Sequence, residues 1–251
     1  MLNLLKQNRK INILAELDKH NYVKVTDLQK KLNVTGMTIR RDLKELEDEG
    51  AVVRIHGGAK KCKSIIYADM QHDERRKINV DKKRVIAQKA AALIKEGDII
   101  FISASTTNEL LHQYIKIPNI KVITNCLYIY YQYMTDSNFE SILIGGKYNE
   151  HLQSFLGTIT LETLSKINFT KAFIGTNGIH NNNLSASNDE EGLLHRTILE
   201  NASERYLVCD STKFNSESFF NFYTCDKLTA IIVDNCEADI IREYRSIVKI
   251  M

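Results

Sequence analysis

The chain has 251 residues, 43% hydrophobic and 26% charged, with a formal net charge of +3. That is long for one compact domain and suits two unequal soluble domains with proper cores. Its apolar runs reach only five or six residues, far short of the ~20 that a membrane-spanning helix needs, and its N-terminus, MLNLLKQNRK, has no secretory pattern.

Five cysteines, at 62, 126, 209, 225 and 236, form no CxxC and no His-interleaved metal pattern. The expectation is a cytoplasmic protein with reduced thiols, two or three of them small buried apolar residues, and neither metal nor cofactor. Charge is unevenly spread. Residues 1–60 hold 12 Lys/Arg against 8 Asp/Glu, whereas the other 191 hold 22 against 23. A basic small domain joined to a near-neutral large one suggests that only the first meets a polyanion.

In chain order, Leu5, Ile11, Leu14 and Leu17 recur at helical spacing and predict a first helix that breaks at His20-Asn21. Thr26 opens a Thr-Asp-Leu-Gln capping box, with Gln29 reaching back, for a short second helix that turns Leu28 and Leu32 inward. Asn33-Val34 makes a tight turn. Thr35 is then a good N-cap for a third helix ending at Gly50. Val52-Val53-Arg54-Ile55 reads as a strand, and His56-Gly57-Gly58-Ala59 as the turn of a wing.

The third helix is the informative one. Ile39, Leu43 and Leu46 form one buried stripe, which turns Met37, Arg41, Lys44 and Asp48 to the wet face and leaves Thr38 and Arg40 on its flanks. Hydroxyls and arginines gather toward its N-terminus, while the acids Glu45, Glu47, Asp48 and Glu49 lie toward its C-terminus. That polarity suits a recognition helix entering the major groove of double-stranded DNA N-terminus first, with Met37 against a thymine methyl and Gly36 letting the backbone approach. Thr26, Thr35 and the wing residues Arg54, His56 and Gly57 complete the DNA-facing set. An amphipathic helix with two arginines is ordinarily just a surface helix; here the preceding short turn and the following wing favour DNA binding.

The segment from Val34 to Ala59, VTGMTIRRDLKELEDEGAVVRIHGGA, resembles the signature of the DeoR family of bacterial regulators. Thr35 stands where that family usually has Ser. The resemblance implies an operator-binding transcriptional regulator, more often a repressor, with residues 1–60 as its winged helix-turn-helix domain.

Residues 60–83 are polar and charged, from Lys60-Lys61-Cys62-Lys63 to Asp81-Lys82-Lys83. They predict a linker over 61–80, with Arg75-Arg76-Lys77 as a solvated cluster or one that grazes phosphate. From 81 to 251 helices and strands alternate. A helix is expected over 82–96, ending at Gly97, and strands at Ile99–Ile102, Ile120–Ile123, Ser141–Ile144, Ala172–Ile174, Tyr206–Cys209 and Ala230–Val233. Helical patterns at 107–115, 158–167 and 189–202 lie between them. This is an α/β class domain with a mostly parallel sheet covered on both faces.

Small, hydroxyl, amide and lysine residues follow most of these strands. They are Ser103-Ala104-Ser105-Thr106-Thr107, Thr124-Asn125, Gly145-Gly146-Lys147, Gly175-Thr176-Asn177-Gly178 and Asp210-Ser211-Thr212-Lys213. In open α/β sheets the ligand crevice lies outside the carboxyl ends of the strands, so these loops predict a polar anion pocket. Its expected ligands are Ser103, Ser105, Thr106, Thr107, Asn125, Gly146, Lys147, Asn177, Glu191 and Lys213, the hydroxyl run standing at a helix N-terminus. Each piece alone is ordinarily a turn or a cap; their convergence carries the reading.

The DeoR resemblance continues here through Lys95-Glu96-Gly97-Asp98, Thr124-Asn125, Gly145-Gly146, Asn188-Asp189-Glu190-Glu191 and Asp210-Ser211-Thr212-Lys213-Phe214. It implies a sensor domain similar in fold to ribose-5-phosphate isomerases, with a phosphorylated sugar as effector. Similarity within the family to repressors of sugar phosphotransferase operons implies a ketohexose phosphate. Ser105 stands where the family's phosphate loop has Gly. A two-fold operator implies at least a homodimer, or a homotetramer. Two other readings are an isomerase-like enzyme carrying a DNA-binding domain and a structural DNA-binding protein whose large domain only oligomerises. Against the enzyme, the isomerases' Asp-Gly-x-Asp is here Asn177-Gly178-Ile179-His180, which leaves His180 as the one candidate base.

Overall fold

The computed structural model describes residues 2–20, 22–48, 52–55, 57–61 and 72–251. The chain divides into two compact units, Met1–Asp69 and Met70–Met251.

The first unit runs α1 (Leu2–His20), β1 (Tyr22–Lys24), α2 (Val25–Leu32), α3 (Gly36–Asp48), β2 (Val52–Ile55) and β3 (Gly58–Lys61). Its core is Ile13, Leu17, Val23, Val25, Leu28, Ile39, Leu43, Leu46, Val52 and Ala59, so the stripe expected on α3 is buried. Along α1 the inward residues are Ile13 and Leu17 with Leu14 beside them, while Ile11 is 62% exposed. Ile11 therefore belongs to the outer face, because the helix rotates to bury the Ile13–Leu17 pair. The side chains of Leu5 and Asp48 and the whole of Gly50 and His56 lie outside the described residues.

The capping box expected at Thr26 does not form. A strand absent from the sequence reading, β1, pairs antiparallel with β3 and carries the chain directly into α2. The helix therefore starts two residues early, with Lys24 at the N-cap position and Val25 first, and the Val25 N–H donates to the Gly57 carbonyl at 2.9 Å. Thr26 is exposed and its hydroxyl turns to Asp27. Asn33 closes α2 in the left-handed conformation, and Thr35 caps α3 as expected, accepting from the Thr38 N–H at 3.3 Å. The wing turns more tightly than expected, with Gly57 at φ +80 and Gly58 already in β3. A Cβ on Gly58 would stand 2.0 Å from the Val23 carbonyl oxygen, so only glycine lets β1 and β3 close up here.

The second unit begins with α4 (His72–Lys77), α5 (Val80–Ala91), β4 (Ile99–Ile102), a 3₁₀ helix (Asn108–Gln113), β5 (Ile120–Thr124), α6 (Leu127–Tyr133) and β6 (Phe139–Leu143). It continues through β7 (Lys147–Asn149), β8 (Ser154–Leu156), α7 (Thr158–Leu164), β9 (Phe169–Ile174), β10 (Gly178–His180) and β11 (Asn183–Ala186). It ends with α8 (Asp189–Glu200), β12 (Ala202–Val208), β13 (Phe220–Thr224), β14 (Ala230–Ile232) and α9 (Ala238–Tyr244). All six expected strands form one sheet in the order β14-β12-β9-β4-β5-β6, every neighbouring pair parallel.

Ile100, Ile102, Phe173, Tyr206 and Val208 face one layer with α5 and α6, and Phe101, Ala172, Ile174 and Leu207 face the other with α7 and α8. Burial on both faces explains why these strands read as unbroken apolar runs rather than alternating ones. The helix expected to reach Gly97 stops at Ala91, and the one expected over 107–115 is the six-residue 3₁₀ segment. The small antiparallel sheet β10-β11-β13 and the β7-β8 hairpin are strands read as loops in the sequence. Cys126, Cys209 and Cys225 are buried free thiols and Cys236 is half-buried, while Cys62 lies outside the described residues.

Candidate functional site

On α3, Met37 is 80% exposed, and Arg40, Arg41 and Lys44 are exposed with no acidic partner among the described residues. The acids of the same helix are spent inside the unit. Glu45 bonds Lys6 at 2.7 Å and Lys10 at 2.9 Å, which hold its carboxyl down to about 2. Asp42, fully buried, takes both arms of Arg9 at 2.5 and 3.0 Å. Glu47 accepts from the Arg54 N–H at 3.0 Å and lies 3.6 Å from its guanidinium. Among the described side chains of α3, the unpaired charges on the outer face are therefore its cations. Beside Gly36 stands the end of the Gln29 side chain, whose Cδ would be 3.0 Å from an added Cβ.

In the second unit, strand order reverses between β4 and β9, since β5 and β6 continue to one side and β12 and β14 to the other. This is the topological switch point, where ligands of open α/β sheets bind. The loops after β4 and β9 meet there. The Ser103 hydroxyl accepts from the Gly175 N–H at 3.1 Å, and Asn108 bridges the Ser103 and Phe173 carbonyls at 3.0 Å each. Ser103 is fully buried and consumed by these bonds; Ser105 and Thr106 are half-buried and Thr107 nearly covered. The Ser105 hydroxyl accepts from the Asn108 N–H at 3.0 Å, and the neighbouring loop makes room for its side chain with Gly175.

The remaining expected ligands are placed unequally. Asn125 is buried, donates to the Phe155 carbonyl at 2.8 Å and keeps its Oδ1 unpartnered. Glu191 is almost buried in the first turn of α8 and accepts from Ser187 at 3.1 Å. Asn177 is half-buried, its N–H held by the Ser185 carbonyl, and Thr176 beside it bonds two carbonyls at 2.9 Å. Gly146 serves packing, since a Cβ there would lie 2.0 Å from the Thr160 hydroxyl. Lys147 is exposed on β7. His180 ends β10 at the tip of its hairpin, three residues beyond Asn177 and so ~10 Å along the strand at ~3.3 Å per residue.

A six-residue 3₁₀ helix has little dipole, so the charge that suits this crevice to an anion must come from side chains. It does. Arg75 of α4, Lys83 of α5 and Lys213 after β12 share one electrostatic neighbourhood with Asp210, Glu109 and Glu191. Burial pushes Lys83 down to about 8, with Lys213 and Arg75 lowering it further and Asp210 opposing. Burial likewise lowers Lys213 and Arg75. Lys83 donates to the Arg75 carbonyl at 2.5 Å, Arg75 donates to the His151 carbonyl at 2.8 Å, and the buried Arg75 Nε has no partner among the described residues. Asp234 and Lys82 fix the loop, bonding the Ser211 N–H at 2.7 Å and its hydroxyl at 2.8 Å. Three cations are thus held largely out of water, in the company of three carboxylates.

Arg75 and Lys83 stand outside the set that the sequence pointed to. Arg75 lies in the segment read as linker, yet α4 belongs to the second unit, packed there through a buried His72. For Lys83 a signal existed. It sits on the apolar stripe of α5 with Ile86, Ala87 and Ala90, where periodicity calls for an apolar residue.

A helix-turn-helix with a wing, followed by a separate parallel α/β unit with a switch-point crevice, is the plan of a DNA-binding protein with an appended sensor. Residues 1–65 match the DeoR-like helix-turn-helix domain and residues 78–235 the DeoR C-terminal sensor domain, and the chain belongs to the DeoR family. The lactose phosphotransferase system repressor of Streptococcus mutans is 39% identical over 237 residues, spanning 93% of this chain and 94% of that protein. The protein of the same name from Staphylococcus aureus is 31% identical over 250 residues, spanning 98% and 100%. Among solved structures, ribose 5-phosphate isomerase from Methanocaldococcus jannaschii gives a TM-score of 0.39 at 17% identity, covering 54% of this chain and 55% of that one. Translation initiation factor eIF-2B from Pyrococcus horikoshii gives 0.43 at 14%, covering 92% and 88%.

Proposed function

We propose that this chain is a cytoplasmic transcriptional repressor of a sugar-utilisation operon, and that a phosphorylated sugar in its switch-point crevice controls its grip on operator DNA. The DNA-facing set is α3 with Thr35, Met37, Thr38, Arg40, Arg41 and Lys44, flanked by the wing. A palindromic operator calls for a homodimer or homotetramer. The observation that carries the effector reading is the buried cluster of Arg75, Lys83 and Lys213, with an Arg75 Nε–H that has no partner among the described residues, linked through Glu109 to the Ser105 loop. Burial is what holds these cations below their ordinary range, with Asp210, Glu109 and Glu191 opposing it, and an entering phosphate would add charged hydrogen bonds to groups already stripped of water. Asn125, Asn177 and Glu191 remain to bond sugar hydroxyls.

The repressor relatives support the operon reading, and their names fit a ketohexose phosphate effector. The test is a thermal-shift screen of ketohexose and aldohexose 6-phosphates, ribose 5-phosphate and inorganic phosphate, followed by titration calorimetry with and without operator DNA. Linkage requires DNA and effector to change each other's affinity by one common factor. Equal affinities in the two titrations would remove the regulatory role, and no binding at all would remove the pocket.

The isomerase reading requires a base between adjacent sugar carbons. Asn177 cannot take a proton near neutral pH, and His180 lies at a hairpin tip remote from the hydroxyl loop. Deuterium entry at C1 or C2 of ribose 5-phosphate or a hexose 6-phosphate, abolished in His180→Ala, would establish an enzyme instead.

A further inference from the structure

Helix α4 is the first described element after residues 62–71, which join it covalently to the DNA-binding unit. It is pinned to the wall of the crevice by one carboxylate. Glu109, nearly fully buried in the 3₁₀ helix, bonds the buried His72 imidazole and takes Arg76 at 2.8 and 3.3 Å. The Arg76 guanidinium also lies 3.8 Å above the Tyr128 ring of α6 and bonds Asp73 at 3.0 Å. None of these bonds is needed to cap α4 or to build the sheet. The bonds to Glu109 and the contact with Tyr128 tie this segment onto the 3₁₀ helix and α6, while the Asp73 bond lies within α4.

The other end of the tie is the hydroxyl loop. The Glu109 N–H donates to the Ser105 carbonyl at 3.1 Å, and Asn108 is held by the Ser105 hydroxyl. A ligand that draws in Ser105 and Thr106 therefore moves Glu109. A buried carboxylate bonded to the His72 ring and the Arg76 guanidinium cannot shift without carrying them or losing them, since an unpaired buried charge is costly. We infer that Glu109, His72, Arg76 and Tyr128 form a clamp that transmits occupancy of the crevice to α4, and through it to the DNA-binding unit. This rests on the sensor reading above. The clamp residues are positioning groups: none has to touch the ligand.

The test uses the full chain, a duplex selected by that chain from a random pool, and the four ketohexose 6-phosphates as probes. Wild type is expected to change DNA affinity at least tenfold on saturation, within the usual range of allosteric coupling. Arg76→Met should bind the same sugar phosphate within about threefold of wild type, yet that ligand should change DNA affinity less than about twofold. A merely structural arginine would lower both affinities and leave their coupling intact. Tyr128→Leu, at a half-exposed position, keeps the test open if Arg76→Met does not fold, and should lower the coupling by a smaller factor. Amide exchange of residues 72–77 in wild type should change on ligand saturation. Coupling unchanged in both variants, or exchange unaltered by a bound and DNA-active ligand, would overturn the clamp while leaving the sensor reading intact. Absence of any sugar-phosphate binding by wild type would overturn both.

Discussion

Replacing Lys83 by Met separates binding from stability at the cation cluster. Burial lowers the ammonium to about 8 from its ordinary 10.5, a difference equivalent to ~3 kcal/mol against the folded unit while both forms are charged. Met keeps the apolar stem and removes the charge, but leaves the Arg75 carbonyl without its Lys83 donor, a loss of ~1 kcal/mol. The variant should therefore be more stable at pH 7 by ~2 kcal/mol, raising the melting temperature of the larger unit by roughly 4–8 °C.

The sign with pH follows from proton counts. Between about 8 and 10.5 the unfolded chain holds the Lys83 proton more than the folded one does, so the wild-type penalty fades as pH rises through that window. The variant's advantage should be full below about pH 8, shrink as pH rises, and turn into a deficit of ~1 kcal/mol above 10.5, where only the lost hydrogen bond remains. Its affinity for inorganic phosphate or a ketohexose 6-phosphate should fall ~10-fold or more, as expected for losing one charged hydrogen bond. Calorimetric unfolding from pH 6 to 10, with phosphate titrations beside it, reads all three. A variant less stable at pH 7 with unchanged anion affinity would mean that Lys83 is a structural strut.

On the DNA-binding unit, Arg41→Ala should cost ~1–3 kcal/mol of operator affinity if Arg41 reads a base, or flatten the salt dependence by about one if it holds phosphate. Competition binding across salt concentrations tells these apart, and unchanged binding by a folded variant would contradict the assignment. Asp42→Ala leaves Arg9 unpaired against a buried site and should destabilise that unit by ~3–5 kcal/mol in urea unfolding. Gly146→Ala places a Cβ 2.0 Å from the Thr160 hydroxyl and 2.7 Å from the Leu156 carbonyl oxygen, and should destabilise the sensor unit by ~1–3 kcal/mol in the same assay. If it proves neutral, the glycine is free for a ligand role.

Local periodicity decided a good deal in this chain. The Ile39-Leu43-Leu46 stripe, the Thr35 cap and the six apolar strands were all legible, because each depends on neighbours within a few residues and on burial of a whole face. The exposed cations of α3 followed from the same stripe, by rotation alone. The hydroxyl loop after β4 was legible as a loop, and the strand-end rule placed it at the crevice.

What tertiary structure alone decided is which polar groups are spent and which are left for a ligand. Ser103 appears as one more hydroxyl in the sequence, yet it is buried and bonded to Gly175, which lies 72 residues away. Gly146 suggests room for a ligand, yet that room belongs to Thr160 and the Leu156 carbonyl. The capping box at Thr26 lost to a backbone acceptor in the wing, supplied by pairing β1 with a strand more than thirty residues later. The Arg75-Arg76-Lys77 run looked solvated because its partners, Glu109, Tyr128 and His151, stand on three other elements of the second unit. Hydrogen bonds and buried charges are settled by whatever the fold brings within about 3 Å, and sequence spacing holds no record of that distance.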